Sequence, residues 1–441
     1  LIPPEAGGDM RFCFFRTYFT TVSFLAVHVV ITVEKALETI LAQIRVLGTE
    51  RIDLLGSRGQ VLAEDIGAGL DVPPHDNSAM DGYAVRHTDI AGAAADKPVQ
   101  LTIMGDLPAG YTSEVILQPG QALRIMTGAA IPPGADTVIM QENTSSDGSV
   151  VSILQAEKRG VNVRYAGEDI KKGAVLFQAG TVVRPAHIGI MASIKRAMVS
   201  VYQRPRVAIL STGDELVDID GELTPGRIVT SNSYSLASLV ADAGGTPIML
   251  GIARDTKEAL RSRMLEGLHA DIIITSGGVS VGDYDFVKDV LQELGLDMKF
   301  WKVLMRPGQP LAFGVIGGKP AFGLPGNPVS AMVSFEQFVR PSMRKMSGHA
   351  RLFRAAIEAI AQENVQGRKD RKFFVRCRLT QKDGQWLAST TGEQGSGILM
   401  SMAAASGLMV IPADVSGISA GDRVNVQVLD PELGYSETLN Y

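Results

Sequence analysis

Between Arg206 and Met346 the chain alternates compact apolar runs, VAIL, TPIMLGI and DIIIT, with amphipathic segments of helical length. A strand of unbroken apolar residues is buried on both faces and needs helices to cover it, so this alternation predicts a parallel sheet with crossover helices. The segment after VAIL begins near Asn232, puts Leu236, Leu239, Val240 and Ala243 on one side, and stops at Gly244 and Gly245. The next begins at Asp255 and groups Leu260, Met264, Leu265 and Leu268. A further stripe, Val33, Leu37, Ile40, Leu41 and Ile44, follows Thr32, which suits a helix N-cap.

Elsewhere the pattern is different. From about Arg51 to Arg204, stretches such as RIDLLGSRGQVLAEDI and KKGAVLFQAGTVV are short apolar runs broken by glycine and proline, which predicts short strands and tight turns. After His349 come FFVRCRL, QWLAST, LMVIP and RVNVQVL, separated by turn signals such as KDG and SAGD, which predicts a small β domain. A length of 441 residues exceeds what one core supports, so several domains are expected.

Composition narrows the function. A net charge of -5 leaves no basic footprint for nucleic acid. Cys13 and Cys377 are the only cysteines, which excludes a disulfide scaffold or a thiolate zinc site and fits a cytoplasmic protein. The six histidines show no HExxH spacing, and no Walker A motif is present. Arg11 and Arg16 precede the run FTTVSFLAVHVVITV, which superficially looks like a secretory signal. It contains His28 and is short for a membrane span, so ordered structure is expected to begin near Thr32 and no membrane association is predicted.

In an open parallel sheet, ligands bind beyond the carboxyl ends of the strands. Three loops there stand out: STGDEL after VAIL, SGGVSVGDYD after DIIIT, and PGNPVS after AFGL. In the last, Asn327 suits an N-cap and Pro328 the first helical position, giving either an anion cradle or a plain helix start. Gly277 and Gly278 allow close approach of a phosphate or ring. Glu215, Asp255 and Asp285 fall at loop ends on the same edge, where hard oxygen ligands could hold magnesium. Asp255 with Glu258 also reads as a capping box, and Asp285 as the cap of a helix starting near Phe286. Lys302 and Arg306 flank an extended run before a Pro-Gly turn, either as a solvated pair or as cations for an oxyanion. NSAMDGYA and MTGA suit ligand-crowding loops or tight turns alike.

Taken in order, NSAMDGYA, RIMTGA, GEDI, STGDEL, SGGVSVGDYD, RPGQP and LPGNPVSA resemble the molybdopterin molybdotransferase family, which includes MoeA and the E domain of gephyrin. The resemblance runs from about residue 32 to the C-terminus and implies a MogA-like three-layer α/β domain with a mostly parallel sheet. It further implies a β-rich N-terminal region in an elongated subunit and a small C-terminal β-barrel-like domain. The expected division is a poorly ordered extension over 1–30, a linker domain from 49–68 with 169–204, and a β-rich domain over 69–168. An α/β molybdopterin-binding domain from 31–48 with 205–348 and a C-terminal β domain over 349–441 complete it.

The implied activity is insertion of molybdate into adenylylated molybdopterin with Mg2+ and release of AMP, in a homodimer whose active site lies at the subunit interface. Transfer to a molybdopterin adenylyltransferase and molybdoenzyme partners is implied as well. Matched motif by motif, the catalytic positions are Asp81, Thr127, Asp169, Glu215, Lys302 and Arg306. Substrate-binding positions are Ser276, Gly277, Gly278, Ser280, Pro325, Gly326, Asn327, Ser330, Arg376 and Ser396, and the metal positions are Asp255 and Asp285. Related sequences often carry lysine where Gln309 stands, so Gln309 is left out. The rival readings are a non-catalytic, gephyrin-like scaffold and an enzyme using the same α/β module on another pterin or nucleotide.

Overall fold

The apolar runs form one seven-stranded sheet in the computed structural model, which describes residues 30–278 and 286–435. Its strands in chain order are β1 (Val30–Ile31), β2 (Arg206–Thr212), β3 (Thr246–Ala253), β4 (Ile272–Ser276), β5 (Asp297–Val303), β6 (Pro310–Ile316) and β7 (Lys319–Leu324). Across the sheet the order is β1-β5-β6-β7-β4-β2-β3. The pairs β1/β5, β7/β4, β4/β2 and β2/β3 are parallel. Only β6 runs against its neighbours, because Gly317 and Gly318, both at positive φ, make a turn too short for a crossover.

Alternation along the strands builds the layers. Val207, Ile209, Ile272 and Ile274 share a core with α1 (Val33–Gln43) and α2 (Ser231–Asp242). Ala208, Leu210 and Ile273 point the other way, onto Leu260 and Met264 of α3 (Lys257–Gly267) and Val290 and Leu291 of α4 (Phe286–Glu293). Helices on both faces therefore keep apolar side chains from water, at about 1.5–3 kcal/mol for each one fully buried. A helical run from Pro328 to Met346 completes the first layer, with a π segment at Phe335–Val339. Within that segment Glu336, almost fully buried, accepts from Arg340 at 2.7 Å and Arg354 at 3.0 Å.

Several local expectations need correction. The Thr32 hydroxyl does cap α1, accepting from the Lys35 N–H at 3.2 Å, but Ala36 joins Val33 and Ile40 in the core where Leu41 was expected. Val30, placed in the N-terminal extension by the sequence, is paired in the sheet; residues 1–29, with Cys13 and the signal-like run, lie outside the described residues. Helix α3 begins at Lys257 and is capped by Thr256, whose hydroxyl accepts from the Ala259 N–H at 3.3 Å, so Asp255 is not a cap. Leu265, two residues before its C-terminus, is 43% exposed.

Away from this sheet, Thr49–Asp53 pairs antiparallel with Met198–Tyr202 over a core that includes Leu62, Ile66, Met191 and Val201. Residues 82–153 contribute a six-stranded sheet. In the C-terminal region five strands, Ala356–Ala361, Lys372–Lys382, Gln385–Thr390, Gly407–Ile411 and Arg423–Val428, close on themselves as a small barrel. Among the described residues no helix is long and apolar enough to cross a membrane.

Candidate functional site

Strands β7, β4 and β2 are adjacent and parallel, so the loops after Leu324, Ser276 and Thr212 leave the sheet side by side. Gly277 must be glycine: its φ is +94°, and a Cβ would stand 2.6 Å from the Thr212 carbonyl oxygen. A Cβ on Gly326 would meet the Gly277 Cα at 3.8 Å, so the SGG and PGN loops touch. Asn232 clasps both, its Nδ2 donating to Ser276 Oγ at 2.7 Å and to the Gly326 carbonyl at 2.8 Å. Sequence reasoning saw Asn232 only as a helix start; it is an organiser of the cradle. The buried Thr212 Oγ1, Thr275 Oγ1 and Asn232 Oδ1 have no hydrogen-bond partner among the described residues, so polar capacity is left over at this edge.

Acids line one side. Gly213 has φ +148°, and Glu215 folds back so that a Cβ there would lie 2.5 Å from its carboxylate. The Asp255 N–H donates to Asp214 Oδ1 at 3.3 Å, and Arg254 braces the loop by donating to the Asp214 carbonyl at 3.0 Å. Burial, with the charges of Asp214 and Glu215 nearby, raises the Asp255 carboxyl above its ordinary range. Asp255 thus meets the uncompensated negative field that a hard cation relieves, although no three His, Cys, Asp or Glu among the described residues stand close enough to hold a metal by themselves. Asp285 and Ser280 lie outside the described residues. Gly278, at φ +65°, is the last residue before that segment.

Cations line the other side, around a cavity of about 290 Å³ bounded by Arg306, Gln309, Asn327, Ser330, Arg371 and Ser396, among others. Asn327 occupies the N-cap position of the helix at Pro328–Ser334 but makes no capping bond with its side chain. Its amide donates instead to Ser396 Oγ at 3.0 Å, while the Val329 N–H donates to the Ser396 carbonyl at 3.1 Å. Met305–Arg306 pairs in parallel with Lys372–Phe373, and the Arg306 guanidinium lies 5.9 Å above the Phe373 ring. Arg371 Nη1 donates to Gln309 Oε1 at 3.0 Å. Gln309, left out on sequence grounds, and Arg371, which belongs to the basic run GRKDRKFFVR that the sequence reads as surface, are both in the wall.

Two predicted positions sit differently. Arg376 is 1% exposed, and its guanidinium donates to Ser401 Oγ at 3.0 Å, to the Gly395 carbonyl at 2.9 Å and to the Gln394 carbonyl at 3.3 Å. It braces the loop that carries Ser396, and it also borders an adjoining groove of about 690 Å³. Lys302 is half-buried on β5 opposite Val30 and Pro310, and is not part of the smaller cavity's wall.

Asp81, Thr127 and Asp169 form a separate group. One oxygen of Asp81 accepts both the Thr127 N–H at 2.7 Å and its hydroxyl at 2.8 Å, and these bonds hold the Asp81 carboxyl below the usual range. The next residue, Gly82, has no alternative, because a Cβ would lie 1.9 Å from the Ile139 carbonyl oxygen. Asp169 is exposed, its N–H donating to the Val72 carbonyl at 3.0 Å. Among the described residues no hydrogen bond joins these three to the sheet-edge loops.

Three family models match in succession: the MoeA N-terminal region (domain I and II) over residues 31–194, a probable molybdopterin binding domain over 208–345, and the MoeA C-terminal region (domain IV) over 358–429. A molybdopterin molybdenumtransferase of a Nostoc species is 42% identical over 384 residues, 86% of this chain and 88% of that protein. Its namesake in Bacillus subtilis is 36% identical over 391 residues, covering 88% and 91%. The crystal structure of a molybdopterin biosynthesis MoeA protein from Pyrococcus horikosii superposes with a TM-score of 0.78 at 33% identity, covering 91% of this chain and 99% of that one. Motif order, sheet, barrel and relatives agree, and the chain belongs to the MoeA family of molybdopterin molybdenumtransferases, transferases of molybdenum cofactor biosynthesis.

Proposed function

We propose that this transferase inserts molybdate into adenylylated molybdopterin, with Mg2+ and release of AMP. The observation that carries the reading is the juxtaposition at Gly326 and Asn327: one residue packs on Gly277 at the acidic side, and the next lies in the cationic cavity. Opposite charges therefore flank one polar cradle. On this reading the loops at Ser276 to Ser280 and Pro325 to Gly326 cradle the pterin and its phosphates. Arg306, with Ser330, Ser396 and the nearby Lys302, holds the oxyanion.

Glu215, Asp255 and Asp285 would hold the magnesium. The raised Asp255 carboxyl fits a cation there, and because described acids alone do not complete a site, substrate phosphates would supply the remaining oxygens. Bound magnesium would offset the charge on the anhydride as it is cleaved. Among the described residues the chain offers molybdenum no accessible thiol: Cys377 is buried, and burial pushes its thiol up to about 12. Soft ligation falls to the dithiolene of the pterin, leaving positioning and charge to the chain.

Asp81, Thr127 and Asp169 belong to the same site if a second copy brings them to it, which is the reason to read the chain as a homodimer with its active site at the interface. Supply by a molybdopterin adenylyltransferase, handover to molybdoenzymes and a cytoplasmic location complete the proposal. Incubation with adenylylated molybdopterin, magnesium and molybdate tests it: AMP release that requires all three is expected. A folded protein that binds the pterin but releases no AMP would establish the scaffold reading instead.

A further inference from the structure

We propose that the joint between the α/β layers and the strand pair Thr49–Asp53/Met198–Tyr202 holds a site for a small phosphate-class oxyanion that keeps one proton, built by Arg58, Gln60, Arg204 and His349. The chain crosses this joint twice, and the crossings are tied where the Gln203 N–H donates to the Gly48 carbonyl at 2.9 Å. Beside them lies a cavity of about 110 Å³, bounded by Arg58, Gln60, Tyr202 and Arg204 from one region and by Ser347 and His349 from the other, among others. It sits at the edge of the sheet where β2 begins and α2 ends, opposite the loops after Thr212, Ser276 and Leu324. One wall is fixed by packing: Gly348 is at φ +75°, and a Cβ there would stand 2.4 Å from the Tyr202 ring.

The charge in this cavity is positive and unspent. Arg58 and Arg204 make no ion pair and no side-chain hydrogen bond among the described residues, and no carboxylate lines the wall. Asp242, one residue before the wall, is already engaged by Arg340 at 2.8 Å and Arg354 at 3.5 Å. Two helical segments, α2 and the run to Met346, end here, each with about half a negative charge at its C-terminus. Two guanidinium charges exceed those partial charges, so a net positive charge is left for an anion. His349 adds a neutral donor: Arg344 Nη2 lies 3.3 Å from its Nδ1, and since arginine can only donate, the ring proton is on Nε2.

Gln60 decides which anion. Its Nε2 donates to the Gly56 carbonyl at 3.0 Å, which fixes the amide's orientation, and its buried Oε1 has no partner. A buried acceptor among donors asks the ligand for a proton. Inorganic phosphate keeps an O–H throughout the neutral range, whereas sulfate has none. A phosphate monoester such as AMP has lost its last proton by about pH 8, and its nucleoside far exceeds this cavity. Free phosphate is therefore the ligand that answers both the charge and the orphan oxygen. Bound there, it would join the two regions at the point where the chain passes between them.

Titration of the full chain at about pH 8, followed by the imidazole NMR signals of His349, reads this cavity alone. Phosphate should shift those signals saturably, and sulfate and AMP should each bind about tenfold more weakly or worse. Arg58→Gln and Arg204→Gln should each weaken phosphate by about tenfold, from loss of a charge-assisted contact. Gln60→Leu should bring phosphate and sulfate within about threefold of each other, because the acceptor that tells them apart is gone. Absence of a saturable shift, or sulfate or AMP binding as tightly as phosphate in the parent, overturns the proposal. So does parent-like phosphate affinity in the Arg58→Gln/Arg204→Gln double variant with an unchanged melting curve. The comparison of anions on the parent chain stands even where a Gln60 variant fails to fold.

Discussion

Asp81 and Thr127, 46 residues apart, are joined twice through a single carboxylate oxygen, at 2.7 Å to nitrogen and 2.8 Å to the hydroxyl. The motifs MDGYA and MTGA are therefore one structural unit, and a charged one. The bonds favour the ionised carboxylate, so the folded pKa lies below the unfolded value. The support they give the turn is complete above about pH 4, the ordinary aspartate value, and is lost as pH falls through the lower folded one. Amide exchange at Thr127 should stay slow down to that pH and accelerate below it. In Asp81→Asn the acid-induced change should vanish.

Asp255 and Thr256 should separate cleanly. Thr256→Ala removes the cap of α3 and is expected to cost about 1 kcal/mol in urea denaturation. Asp255→Asn removes a partly buried charge that faces Asp214 and Glu215. Because burial raises the Asp255 pKa, the penalty appears as pH rises through its folded value, so at neutral pH without metal this variant should be no less stable than the parent. Magnesium should raise the melting temperature of the parent and not of Asp255→Asn. A stability loss in Asp255→Asn that matches Thr256→Ala would return Asp255 to a capping role.

Glu336 sits between two arginines inside the molecule. Removing it by Glu336→Ala leaves Arg340 and Arg354 without their buried counter-charge, with an expected loss of about 3–5 kcal/mol in urea denaturation. Asp242, 60% exposed and 2.8 Å from Arg340, compensates only in part. A loss under about 1 kcal/mol, the worth of an exposed pair, would contradict the burial argument.

His349 gives the stability curve an acid limb. Burial first, and Arg344 second, depress its pKa from 6.5 to about 4. The unfolded chain therefore takes up a proton as pH drops below 6.5 while the folded one does not, and stability falls between 6.5 and about 4. Partial exposure screens the effect, so a loss on the order of 1–2 kcal/mol over that window is expected. His349→Gln should flatten this part of the curve, measured as urea midpoint against pH.

What could be read from the chain, and what could not, follows from range. Continuous runs such as DIIIT announce a twice-covered strand because burial acts on each residue locally, and the sheet, its layers and the loops at its edge came out as expected. Asn232, Gln309 and Arg371 carry no such local mark. Their meaning lies in partners 94 and 62 positions away, at Gly326 for Asn232 and between Gln309 and Arg371 themselves. Asn327 misled for the same reason, since its position is that of a cap while its amide serves Ser396, 69 residues on. Asp255 misled through a spacing that matches a capping box one residue too early, where Thr256 was the better oxygen.

The buried guanidinium of Arg376 decides how the cavity meets a guest. By fastening the carbonyls of residues 394 and 395 it casts the wall bearing Ser396 during folding, so the freedom of that loop is already gone when an anion arrives. Selectivity can then come from a rigid mould rejecting what does not fit, instead of from a soft one closing on whatever enters.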